Sequence, residues 1–348
     1  MSEVDTAPAK KGGWLKILLF WILGLIAVGA LAVAGGGYAG YRWLEAQYAS
    51  DGPVSEDSII TIERGTGLIQ AAYQLEREGL VADARVFRFA VELLEEPDTI
   101  KTGEYLIPAN ASMQAIHDLL VEGESIQYPI TFAEGLTSAM IVRVLEASDV
   151  LTGEIAEVPA EGTLLPETYL VTRGTTRQSL LDRMQADQTA LLDALWDNRA
   201  DDLPISSRAE AIILASIVEK ETGVGSERAE VAGVFTNRLD RGMRLESDPT
   251  IIYGISQGEP LGRGLRRSEI DNEDNAWNTY QIPRLPPTPI ANPGRESLEA
   301  VLNPAETEYL FFVADGTGGH VFAETYAQHL RNVREWRRIE RERRQQAN

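Results

Sequence analysis

The 348-residue chain contains no cysteine. That excludes disulfides, thiol catalysis, cysteine metal sites and lipid attachment through a cysteine. It fits a chain working outside the cytoplasm, where stray thiols oxidise. Histidine is almost as scarce: His117, His320 and His329 stand at none of the metal-ligand spacings such as H-E-x-x-H. They read as structural or surface residues, and no metal or organic cofactor is called for. Basic residues are outnumbered, 32 Lys and Arg against 53 Asp and Glu, for a formal net charge of -21. This argues against nucleic acid as a partner, because a phosphate backbone attracts a basic face. What is present in ordinary amount is apolar content, 44%, enough for a sizeable core in two domains.

Charge is also missing locally. From Ile17 to Ala34 there is no charged residue, and with Trp14 and Leu15 the run approaches the roughly 30 Å of a hydrocarbon core. Lys16 can snorkel to the headgroups, and Trp14, Trp21, Tyr38, Tyr41 and Trp43 stand where interfacial aromatics stand. Lys10 and Lys11 precede the run, while Glu45, Asp51, Glu56 and Asp57 follow it. By the positive-inside rule the N-terminus is cytoplasmic and the bulk of the chain lies outside, held by a single pass through a membrane. A cleaved signal peptide is the rival reading, since Ala30-Leu31-Ala32 and Ala32-Val33-Ala34 match the small-x-small pattern. The apolar run, however, exceeds the usual 7–15 residues of a signal h-region.

The expected organisation is α+β: a cytoplasmic tail over 1–13, a transmembrane helix over 14–36, a linker over 37–57, a small α+β module over 58–126, a larger mixed α+β catalytic domain over 127–330, and a charged C-terminal helix or tail over 331–348. In the module, a strand at 58–62, helices at 68–78 and 86–94, a strand at 102–107 and a helix at 113–121 follow from the apolar periods and the breakers Gly65, Gly67 and Gly79. That order resembles a LysM-like glycan-binding domain; a plain spacer is the alternative. Beyond it, 127–132 reads as a strand, Thr137 opens a helix over 138–147, 162–171 is strand-like but broken at Pro166, and 179–196 is a long amphipathic helix. Residues 227–241 read as a helix, 242–254 and the proline-rich 283–293 as irregular but rigid, 297–301 as a short helix, and 309–322 as a hairpin around Asp315-Gly-Thr-Gly-Gly319.

The densest stretch runs from Arg208 to Thr222. Ser206 or Ser207 with Glu210 resembles a capping box. Residues 211–218 are all apolar or small, so the helix is buried all round, yet Glu219 follows without a polar transition and Gly223 and Gly225 stop the helix. A carboxyl is thereby delivered to the edge of a core. Partial burial there disfavours the charged form, the condition a general acid needs near neutral pH. An ordinary solvated helix-end glutamate is the plain alternative.

Taken together, Ile-Leu-Ala-Ser-Ile-Val-Glu219-Lys-Glu-Thr222, Val-Phe-Thr-Asn237-Arg238-Leu, Gly-Met-Arg-Leu-Glu-Ser-Asp248-Pro-Thr-Ile-Ile-Tyr253-Gly, Asn278-Thr279-Tyr280 and Phe-Val-Ala-Asp-Gly-Thr-Gly-Gly-His320 resemble the MltG (YceG-like) family of endolytic murein transglycosylases. The resemblance covers nearly everything after residue 13. It implies that Glu219, the first glutamate of Glu-Lys-Glu-Thr, is catalytic, and that Thr222, Asn237, Arg238, Asp248, Tyr253, Asn278, Thr279, Tyr280 and Glu167 serve the substrate. Glu167, in Leu165-Pro-Glu-Thr-Tyr169, departs from an aspartate in some relatives. The arginines 238, 241, 244, 263, 266 and 267 are further candidates for attracting substrate carboxylates.

The implied reaction cleaves the bond from N-acetylmuramic acid to N-acetylglucosamine in peptidoglycan strands without water, leaving 1,6-anhydro ends and ending strand elongation. One carboxyl suffices as acid and then base, because the nucleophile is the sugar's own C6 hydroxyl. The implied partners are glycan strands, the membrane and cell-wall synthases such as penicillin-binding proteins. Two alternatives stay open: a lysozyme-like hydrolase, with Asp248 or Glu167 activating water, and a non-catalytic glycan-binding scaffold.

Overall fold

The computed structural model describes residues 13–96 and 98–346; the tail residues 1–12, with Lys10 and Lys11, lie outside them. The chain divides into two compact units, 1–126 and 127–348.

In the first unit, helix α1 (Gly13–Ala49) carries the apolar run. It does not stop at residue 36. The stretch read as linker remains helical through Ala49, because Tyr41 to Ala49 offers strong helix formers, an i,i+3 pair between Arg42 and Glu45 at 2.6 Å, and Leu44 and Tyr48 to bury in the core of the module. Strand β1 (Ser58–Ile62) is followed by α2 (Leu68–Arg77), α3 (Ala84–Leu94), β2 (Gly103–Ile107) and α4 (Met113–Glu122). The strands pair antiparallel, with Ile60 opposite Tyr105. Alternation sends Ile60, Ile62, Tyr105 and Ile107 inward against Ala72, Leu75, Phe87 and Leu120. Asp83 caps α3 by accepting the N–H groups of Arg85 and Val86, and Ser112 caps α4 through Ala115.

The second unit opens with β3 (Tyr128–Thr131), α5 (Ser138–Ala147) and β4 (Thr168–Val171), the strands antiparallel with Tyr128 opposite Val171. Then come α6 (Arg177–Asp197), α7 (Arg208–Glu221), a 3-10 turn (Gly225–Glu227), α8 (Arg228–Asp240), α9 (Asp248–Ser256), α10 (Arg267–Ile270) and α11 (Arg295–Leu302). A hairpin of β5 (Phe311–Ala314) and β6 (His320–Ala323) precedes α12 (Tyr326–Gln346). Helix α7 is the axis of this unit. Ala211, Leu214, Ala215, Ile217 and Val218 are buried among Val231 and Phe235 of α8, Leu298 and Val301 of α11, and Ile290. A side chain such as Leu214 contributes roughly 1.5–3 kcal/mol by that burial.

A further segment differs from its sequence reading. Residues 248–256, read as irregular, form α9. Pro249 lies in its first turn, where a missing N–H leaves no hydrogen bond unmade, and Thr250, Ile251 and Tyr253 gain burial. The proline-rich stretch carries no regular element over 283–293 but threads Ile290, Ala291 and Asn292 through the interior. It is therefore part of the core wall.

Candidate active site

Helix α7 starts on a cap shared by two serines: Ser207 Oγ accepts the Glu210 N–H at 3.2 Å, and Glu210 accepts the Ser206 N–H at 2.6 Å. After the eight apolar or small residues 211–218 the helix delivers Glu219, whose side chain is only 5% exposed. One carboxylate oxygen accepts the backbone N–H of Gly294 at 2.9 Å, and the other faces Arg228 Nη2 at 3.4 Å. Arg228 is the first residue of α8, brought back to Glu219 by the chain reversal through the 3-10 turn. Its guanidinium also binds Glu134 at 3.0 Å, from the loop between β3 and α5, and Glu296, from the first turn of α11. Three carboxyl groups thus converge on one nearly buried cation. Burial pushes the Glu134 carboxyl above the usual carboxylate range, and the charge of Glu219 pushes it further, against the pull of Arg228.

The loops around the cluster are held at close quarters. Asn292, fully buried, donates to the Leu136 carbonyl and Ser138 Oγ, both at 3.1 Å, and accepts the Leu164 N–H at 3.0 Å. Gly135 donates to the Asn292 carbonyl at 3.0 Å, and its own carbonyl accepts Lys220 Nζ at 3.1 Å. Gly135 has φ +74°, a region a side chain disfavours. At Gly294 a Cβ would fall 1.7 Å from Glu134 Oε1, so a bare backbone is what lets its N–H and Glu134 approach together. Behind them Glu161 accepts the Ser138 N–H at 2.9 Å; burial raises its carboxyl, and Tyr253 beside it is pushed up to about 12 by burial and then by the charge of Glu161.

One groove reaches this cluster through Arg228 and Glu296, and another lies alongside it, reaching Arg295 between Gly294 and Glu296. The groove alongside, of about 540 Å³, includes Glu167, Tyr169, Arg183, Asp187 and Arg295. The groove at Arg228, of about 740 Å³, includes Gly225, Arg228, Glu296 and Asn303. An enclosed carboxyl held by two donors, one of which lines a groove, suits proton transfer to an extended, polar chain.

The residues named from sequence fall into three places. Glu219 is at the cluster and Glu167 lines the first groove, exposed. Thr222 is buried at the end of α7, its Oγ1 accepting the Val224 N–H at 3.0 Å. The others brace the fold. Asn237 donates to the Thr307 carbonyl at 2.7 Å and the Tyr309 carbonyl at 3.0 Å. Arg238, buried, donates to the Leu310 and Leu245 carbonyls at 2.7 and 2.9 Å. Asn278 donates to the Ile270 and Asn272 carbonyls at 2.9 Å. Thr279 pairs with Thr250 at 2.9 Å, and the Tyr280 hydroxyl donates to Asp248 at 2.8 Å. Tyr253 meets Trp277 edge to face at 5.6 Å. Of the clustered arginines, Arg241 pairs with Glu308, Arg263 with Glu269 and Arg267 with Asp271, while Arg244 holds the Tyr280 carbonyl at 2.6 Å.

Sequence reasoning missed Glu134, Arg228, Asn292, Gly294 and Glu296. Glu134 stands just before a helix and Arg228 within one, and nothing in their neighbours sets them apart from ordinary charges. The signal that could have pointed to the rest was Asn292-Pro-Gly-Arg-Glu296, a turn ending in an acidic first helical turn.

The chain is similar to the endolytic murein transglycosylase of Streptococcus pneumoniae (strain D39), 29% identical over 352 residues, a match covering 87% of this chain and 63% of that protein. It therefore spans less than two thirds of that relative's length. The endolytic murein transglycosylase of Bacillus subtilis (strain 168) is 27% identical over 313 residues, covering 80% of this chain and 85% of that protein. A crystal structure of a YceG-like protein from Listeria monocytogenes matches with a TM-score of 0.48 at 25% identity, covering 80% of this chain and 99% of that one. The YceG-like family profile matches residues 60–335, from the first strand of the module to the C-terminal helix and across every residue of the carboxyl cluster: the chain belongs to the YceG-like family.

Proposed function

We propose that this protein is a membrane-anchored endolytic transglycosylase of peptidoglycan, with Glu219 as its single acid and base. The observation that carries this reading is the placement of Glu219: a carboxyl at the end of a buried helix, enclosed and held on both oxygens, with its partner Arg228 lining a groove. In the proposed reaction Glu219 gives its proton to the glycosidic oxygen and the bond from that oxygen to muramyl C1 breaks. The C6 hydroxyl oxygen of the same sugar bonds to C1, and its proton passes to Glu219. Atoms balance without water, and the carboxyl returns to its starting state. Arg228 and the Gly294 N–H stabilise the carboxylate formed midway. The groove containing Glu167, Arg183 and Arg295 receives the glycan with its peptide stems. The bracing residues Asn237, Arg238, Asn278 and Thr279 act by holding the walls of the site.

The α1 span holds the protein to the inner membrane with the second unit outside the cytoplasm. The LysM-like order of the module suits glycan capture, and cell-wall synthases are the expected neighbours. A second reading has a specific observation behind it. Glu134 shares the Arg228 guanidinium with Glu219 and is a second carboxyl that could activate water. Mass spectrometry of glycan strands after incubation with the protein separates the two. Anhydro-terminated products support transglycosylation; reducing ends carrying solvent oxygen-18 would overturn it, and intact strands would point to a scaffold.

A further inference from the structure

The C-terminal part of α1 and the outer face of α3 form one apolar surface. Phe89 and Leu93, four residues apart on α3 and so on one face, are 52% and 61% exposed, while Phe87, Ala90 and Val91 on the opposite face are buried in the module. Together with Gly37, Gly40, Tyr41, Trp43 and Leu44 of α1 they line a groove of about 580 Å³, which Glu92, paired with Arg88, also borders. The exposed Tyr38, Tyr41 and Trp43 continue this surface along α1.

The position of the groove along α1 indicates what covers it. No charged residue occurs from Ile17 to Tyr41. At 1.5 Å per residue the run is about 37 Å long, whereas the hydrocarbon core is about 30 Å thick and each headgroup layer adds roughly 5–8 Å. If the core begins at Ile17, its far boundary falls near Gly36, and the last turn of the run lies in the headgroup layer. The floor of the groove, Gly37 to Tyr41, is that turn. Phe89 and Leu93 flank it and share its depth. Nearby charges are paired within their own helices, Arg42 with Glu45 at 2.6 Å and Arg88 with Glu92 at 3.4 Å, and the Arg88 guanidinium covers the Phe89 ring at 4.6 Å. Such a face is compatible with the acyl–headgroup boundary, where aromatic and aliphatic side chains insert by 5–10 Å.

We infer that the module lies on the bilayer, with Phe89 and Leu93 inserted at the acyl–headgroup boundary beside the emerging α1. Residues 84–94 are then a second, interfacial membrane contact, which fixes the orientation of the module at the lipid surface. This rests on α1 crossing a bilayer.

The absence of cysteine allows single-site spin labelling. The full chain carrying Phe89→Cys, Leu93→Cys, Ala27→Cys or Asp51→Cys is labelled and reconstituted in phosphatidylethanolamine–phosphatidylglycerol vesicles. Accessibility to oxygen is compared with accessibility to a water-soluble nickel chelate. The labels at 89 and 93 should favour oxygen severalfold over the label at 51, and approach but not reach the ratio at 27. If the label at 27 reads hydrocarbon while those at 89 and 93 match 51, the interfacial contact is wrong and the anchor stands. If the label at 27 itself reads water, the anchor fails and the inference with it. Dipolar broadening between labels at 93 on separate molecules would assign the face to a second copy and overturn the proposal.

Discussion

Glu219 and Glu221 leave the last turn of α7 toward different assemblies. Glu219 reaches Arg228 and the Gly294 N–H. Glu221 accepts the Ser247 hydroxyl at 2.5 Å, and Ser247 in turn donates its N–H to Thr279 Oγ1 at 2.9 Å. Two residues along a helix turn the side chain by about 200°, so one carboxyl faces the Arg228 cluster and the other binds α7 to the start of α9.

That division predicts unequal variants. Glu219→Gln keeps shape and packing but cannot donate and recover a proton. Turnover should fall by at least the roughly 10²–10⁴-fold that acid–base catalysis supplies, with the circular dichroism spectrum and glycan binding near normal. Glu221→Gln should be milder in turnover. A folded Glu219→Gln protein releasing products at the parental rate would falsify the assignment.

Glu221 should instead mark itself in the pH dependence of stability. Although part of the residue reaches the surface, its carboxyl is enclosed, and burial pushes its pKa up to about 7. The folded state therefore keeps a proton that the unfolded chain releases above its ordinary value of about 4.3. The contribution is fully present below that value and is lost as pH rises toward 7, by about 4 kcal/mol at most. Glu134 and Glu161, also raised, add slope of the same sign. Denaturation of parent and Glu221→Gln between pH 4.5 and 7.5 isolates the Glu221 share, which should vanish in the variant; parallel curves contradict it.

Arg228 neutralises a cluster of Glu134, Glu219 and Glu296. Arg228→Met leaves the buried Glu219 without its cation, a change that typically costs about 3–5 kcal/mol. Because Glu296 is largely exposed and Glu134 partly so, the loss should sit at the lower end. Arg228→Lys keeps the charge without the planar fork and should recover only part. Denaturant midpoints of the three full-length proteins in detergent test the order parent, lysine, methionine.

Gly294→Ala tests the geometry around Glu219 without touching a charge. The backbone there has φ -78° and tolerates a side chain, yet the new Cβ would collide with Glu134. Glu134 must swing aside while α11 stays intact. A displacement of about 1 Å at a reacting site can cost on the order of 10²-fold, so activity should fall by about that factor with little change in melting temperature. Unchanged activity would mean that the position of Glu134 does not matter.

Much was legible from local order alone. The apolar run of α1, the cap at Ser207, the alternation of β1 and β2, and the burial of α7 all follow from periods and neighbours within one element. Glu219 stood out for the same reason: a charge at the end of an apolar helix is visible without partners. The helix through Ala49 and α9 were not, because each depends on burying its own side chains against distant residues, Leu44 and Tyr48 in one case and Tyr253 in the other.

What the sequence by itself determined is the membrane-compatible segment, the buried helix and the carboxyl at its end, since these rest on composition and on spacings of a few residues. Only the tertiary structure decided what surrounds that carboxyl. Glu134, Arg228, Gly294 and Glu296 come from three loops and helix starts separated by up to 162 positions, and chain spacing carries no distance across such gaps. It also decided that Asn237, Arg238 and Asn278 donate to main-chain carbonyls. A polar side chain suited to a sugar hydroxyl is equally suited to a buried carbonyl, and only the completed fold determines which of them lies within reach.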